Sequence, residues 1–92
     1  MDKVATQYLG RLKAHYTPPS VGQRAKMVSY ILTYTMMTQT ELAKAIGCSQ
    51  GHINQLVFLA ENAVDDEFVA MDDLKYSVNY AYRKLRERMK KD

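Results

Sequence analysis

The chain is expected to be all-α, a compact five- to six-helix domain, and three observations lead there. No run alternates apolar and polar residues between turn signals, so no strand is expected. Helix-start signals recur instead: Asp2, Ser20 with Gln23, Thr38 with Glu41, Ser49, and Asp72 or Asp73. Between them apolar residues return every third or fourth position. The 92 residues form one domain, large enough for a small core without disulfide or metal.

The first helix is expected over residues 3–16, with Val4, Tyr8, Leu12 and Tyr16 on one stripe and Leu9 beside them. Thr17-Pro18-Pro19 must end it, because proline lacks the N–H donor and restricts the residue before it. Ser20 and Gln23 form a capping box for a second helix, about 21–35, with Val21, Ala25, Val28, Ile31, Leu32 and Met36 inward.

Residues 38–59 organise the rest. Thr38 caps a short helix and Glu41 completes its capping box. Gly47 closes that helix in the left-handed conformation, and Ser49 caps the next. Leu42, Ala43, Ile46, Cys48, Ile53 and Leu56 are the apolar positions, with Ala43 small where the second helix crosses. These are the constraints of a DNA-binding helix-turn-helix, two helices at roughly 90–120° about a tight turn. The helix of 21–35 would brace the pair from behind.

Asn62 can end the second helix of the pair, and Asp65, Asp66 and Glu67 suit the start of another short one. The last helix is expected from 74 to about 90, capped by Asp72 or Asp73, and carries Leu74, Val78, Ala81 and Leu85. That stripe reads either as a face on the domain's own core or as a short seam to a second copy. Tyr76 and Tyr80 mark another side of the same helix. Two apolar faces in so small a chain favour a partner, so a homodimer across Leu74, Val78, Ala81 and Leu85 is expected.

The net charge of +3 hides a polarised distribution. Residues 1–60 hold six basic and two acidic groups, 61–74 six acidic and no basic, and 75–92 seven basic and two acidic. Two basic regions flank an acidic one that should avoid phosphate, although charge blocks are as often merely solvated helix faces. No apolar run approaches the roughly 18 residues of a membrane span. The first ten residues lack a secretory h-region. One cysteine forms no internal disulfide, which fits the cytoplasm. His15, His52 and Cys48 lack metal-ligand spacing, and the aspartates do not match a calcium loop. With no phosphate loop and no nucleophile-and-base motif, neither enzyme nor cofactor is expected.

On the second helix of the pair, Ile53, Leu56, Val57 and Ala60 turn inward, leaving Gln50, Gly51, Asn54 and Gln55 on the opposite face. Gln and Asn amides pair in bidentate fashion with adenine, and glycine lets the helix approach closely. Ser49 can bond a base edge or a phosphate, and His52 lies at the rim. An uncharged reading face needs its phosphate attraction from elsewhere: Lys44, Arg24, Lys26, and the helix start at Thr38 and Gln39. Taken singly, each of these polar residues would be an ordinary solvated side chain. Phe58 falls on the side given to DNA and is expected to pack under Phe68, or else to serve a protein interface.

The run from Gln39 to Gly47, followed by Ser49-Gln50 and by Ile53 to Leu56, resembles the helix-turn-helix of phage repressors of the Cro and repressor type. The resemblance implies a phosphate contact at Gln39 and base contacts at Gln50, Gly51 and Gln55. Gly51 stands where that family more often has a polar side chain. Beyond the motif, Leu56, Leu59, Asp65-Asp66-Glu67, Leu74 and Tyr76-Ser77 are loosely similar to the DNA-binding domains of plasmid partition proteins of the ParB and KorB kind, without their nucleotide-binding portion. The expected function is a cytoplasmic plasmid or phage regulator, a repressor dimer on a palindromic operator in double-stranded DNA. The rival is an interaction adaptor that uses the same body to hold a protein partner.

Overall fold

The computed structural model describes residues 2–14 and 19–91; His15, Tyr16, Thr17 and Pro18, where the first helix is expected to end, lie outside them. Six helices follow in order: α1 (Lys3–Lys13), α2 (Val21–Tyr34), α3 (Gln39–Ile46), α4 (Gln50–Asn62), α5 (Asp65–Asp73) and α6 (Val78–Lys91). No strand occurs among the described residues. None of the helices is long and apolar enough to cross a membrane. The all-α expectation of five to six helices holds.

Local chemistry sets most boundaries. Asp2 Oδ1 accepts from Ala5 N at 2.6 Å to start α1, while its Oδ2 accepts from the Tyr30 hydroxyl at 3.1 Å. That second bond ties the first helix to the far end of α2. Ser20 Oγ accepts from Gln23 N, and Thr38 and Glu41 exchange both bonds of a capping box at 3.1 Å. Gly47 takes φ 80°, the left-handed turn foreseen for it, and Ser49 Oγ caps α4 through His52 N. Each such cap contributes about 0.5–2 kcal/mol.

Helix α4 is the axis of the core. It packs on α2, α3 and α6, with Ile53, Leu56 and Leu59 fully buried against Val28, Ile31, Leu42 and Leu85. Val57 and Ala60 contribute from its edges. On α1, the buried residue is Ala5, while Val4 lies at the surface. Burial of this apolar set, at roughly 25 cal/mol per Å², dominates the stability of so small a domain.

Further expectations fail at the helix ends. Met36 does not continue the inward stripe of α2: the helix ends at Tyr34, Thr35 turns to extended backbone, and Met36 is 97% exposed. The last helix does not begin at Leu74. That residue is the C-cap of α5 and 65% exposed, Lys75 turns the chain with φ 54°, and Ser77 Oγ accepts from Tyr80 N as α6 begins. Asp72 therefore does not cap α6. Its carboxylate reaches Gly22 N at 2.9 Å and caps α2 instead.

Candidate nucleic-acid interface

With Ile53, Leu56 and Leu59 committed to the core, the helical period turns Gln50, Gly51 and Asn54 to the surface of α4, and all three are exposed. Gln50 is steered by α3: Thr40 Oγ1 donates to its Oε1 at 3.1 Å, a bond across the two helices of the pair. That bond uses one lone pair of the amide oxygen and leaves its second lone pair and both N–H donors without a demand on them. A Cβ built at Gly51 would meet nothing nearer than Ser49 Oγ at 3.9 Å. The fold itself gives no reason for glycine there, one that weakens a helix by up to about 1 kcal/mol.

Gln55 sits differently. It is half-buried, and its Nε2 lies 3.5 Å from Asn79 Oδ1 at the start of α6, the limit of a hydrogen bond. The closing helix borders the face at this point without covering Gln50, Gly51 or Asn54. Phe58 packs against the edge of the core cluster. Its ring meets the edge of Tyr82 on α6, centroids 5.2 Å apart, and is half-buried.

His52 belongs to the scaffold. It is half-buried, with Nε2 2.8 Å from the Arg24 guanidinium, so the ring accepts and is neutral. Burial first, then the Arg24 charge, holds its pKa below the ordinary imidazole value. Arg24 is thereby fixed beside the first turn of α4. Its charge also reaches Cys48 in the turn, opposing the burial that pushes this half-buried thiol up.

The remaining phosphate candidates divide. Lys44 is exposed on α3. Lys26 leaves the set, because its Nζ lies over the Phe68 ring, 4.6 Å from the centroid, on the α5 side of α2. At the start of α3, Thr38 and Glu41 consume one donor each, leaving Gln39 and Thr40 N–H open. The Glu41 carboxylate at that same helix end opposes an incoming phosphate. Gln39 is half-buried, with its Oε1 enclosed and without a hydrogen-bond partner.

The expected seam is largely internal. Val78, Ala81 and Leu85 are buried in the domain's own core, Leu85 only 1% exposed, and Leu74 is left outside. The core-face reading of that stripe is the one realised. Sequence reasoning missed Thr40 and Asn79. Thr40 shows no local cue, whereas Ser77 ahead of Val78 is an N-cap signal that would have set the α6 register and brought Asn79 to its first turn.

No family model matches the chain, and comparison with curated proteins and with solved structures yields no significant match.

Proposed function

We propose that the chain is a sequence-specific, double-stranded-DNA-binding transcriptional regulator of the phage-repressor type, a cytoplasmic repressor of plasmid or phage origin acting as a homodimer on a palindromic operator. The observation that carries this reading is the pairing of Gly51 with Gln50 and Asn54 on one exposed face of α4. That face combines amides suited to base edges with a glycine the fold does not need. Arg24 and Lys44 lie on the two elements that hold α4, where backbone contacts would orient it. The homodimer must use a surface other than the buried Val78, Ala81 and Leu85. Leu74, Val69 and Tyr80 are exposed apolar residues that remain for it.

The adaptor reading took Phe58 as part of its working surface. With that ring packed on Tyr82, the reading loses Phe58 and keeps the Tyr76–Tyr80 pair and the acidic segment.

Enrichment of random duplexes at moderate salt is the test. A two-fold consensus supports the regulator, and Gln50→Ala should then lower specific affinity by roughly 1–3 kcal/mol for each lost base contact. Absence of any consensus would overturn the proposal.

A further inference from the structure

The reading face of α4 carries no charge, and Lys26 is turned away from it, so within the helix pair and its brace the attraction for a polyanion rests on Lys44 and Arg24 alone. Helix α6 runs beside α4 in the same sense: Asn79 meets Gln55, Tyr82 meets Phe58, and Arg88 Nη2 donates to the Asn62 carbonyl at 3.0 Å. The flank of α6 that borders the outward surface of α4 beside Gln55 and Phe58 is therefore the row Asn79, Tyr82–Arg83, Arg86 and Lys90, spaced at three or four residues. Val78, Ala81 and Leu85 face the core. Arg83, Arg86 and Lys90 are exposed and line one shallow hollow with Tyr82 and Glu87, three cations to one carboxylate. Arg86 is held in place: its Nη1 lies 3.5 Å from the Tyr82 hydroxyl, with the guanidinium carbon 5.6 Å from that ring's centroid. The Tyr82 ring in turn rests on Phe58 of α4. The other side of α6 has a different character, because Lys84 there lines a groove with Asp66 and Glu67 of α5. Helix α6 thus divides an acidic side of the molecule from a basic side that continues the surface of α4.

We propose that Arg83, Arg86 and Lys90 form a second nucleic-acid contact, a phosphate-binding row on the flank of the duplex that α4 reads. This rests on the regulator reading. The row carries no sequence information; it supplies affinity and fixes the tilt of α4 in the groove. Arginine suits the task, since its planar fork matches phosphate oxygens and is always charged.

The experiment measures the salt dependence of binding to the duplex that the wild-type chain selects, for wild type, the double variant Arg83→Gln/Arg86→Gln, and Lys84→Gln. Circular dichroism melting verifies the fold of each. Two lost phosphate contacts should reduce the slope of log K against log salt by about 1.8, with affinity at 0.1 M salt down by roughly an order of magnitude or more. The ranking of operator variants should stay the same, and Lys84→Gln should leave the slope unaltered. An unchanged slope in the double variant, or an equal change in Lys84→Gln, overturns the row while leaving the reading face standing. If wild type selects no consensus yet binds duplexes, the same slopes on an arbitrary duplex decide the row, and the base-reading role of α4 falls alone. If no duplex is retained even at low salt, both fall.

Discussion

Asp72 and Gly22 approach so closely that no other residue type fits at position 22 undisturbed. The Asp72 Oδ1 accepts from Gly22 N at 2.9 Å, and a Cβ at Gly22 would stand 2.8 Å from that same oxygen. A carboxylate fifty positions downstream thus serves one of the orphan donors of α2 while Ser20 serves the next. Its negative charge also suits the positive end of the α2 dipole. Gly22→Ala should cost about 1–3 kcal/mol, because the carboxylate must withdraw and the cap is lost. Gly10→Ala is the matched control. Nothing lies within 4 Å of a Cβ there, so urea unfolding should show a gain of about 0.5–1 kcal/mol.

The same pair explains what the sequence could and could not tell. Thr38, Glu41, Gly47 and Ser49 were readable because each satisfies a backbone group, or relieves a conformation, within three or four residues of itself. Asp72 looks like a helix cap in the sequence and is one, but for a helix fifty residues away. Assigned to the nearest helix, it moved the start of α6 forward and placed Leu74 on a stripe it never joins. Met36 misled for a related reason: an apolar period continues past a helix end whenever the next residue happens to be apolar. The outward face of α4 followed from periodicity alone, whereas the Arg24–His52 bond and the Asn79 border depend on how whole helices dock.

Protonation should act through His52. Its pKa is lowered in the folded chain, so the unfolded state takes up the proton first as acidity rises. The stability contribution of the neutral ring is complete above its unfolded value of about 6.5 and is lost as pH falls through the folded value. Urea midpoints at about pH 7.5 and about pH 5.5 should therefore diverge more in wild type than in His52→Gln. Equal divergence would mean that another group titrates.

Position 51 should separate stability from binding. Gly51→Ala adds a methyl group that nothing in the chain opposes, so thermal unfolding should show a gain of up to about 1 kcal/mol. Affinity for the selected duplex should fall, because the added Cβ stands on the reading face. A variant both more stable and equally tight would show that the helix does not approach a groove at this residue.

Leu85 and Leu74 should behave as opposites. Leu85→Ala opens a cavity in the middle of the core, costing about 2–5 kcal/mol by chemical denaturation. Leu74→Glu alters an exposed residue and should leave that free energy within about 0.5 kcal/mol of wild type. Sedimentation should show Leu74→Glu shifted toward monomer; unchanged association would place the two-fold contact elsewhere.

The bond from Arg88 to the Asn62 carbonyl carries one more implication. Arg88 also grips Glu67 at 2.8 Å, so one guanidinium clamps the exit of α4 to the entrance of α5. The helix proposed to read DNA is thus fastened at its exit by a side chain of α6. Loss of Arg88 would loosen α4 at its rear while its leading turn kept the Ser49 cap, so the two-helix motif excised by itself would lack the grip that closes its second helix.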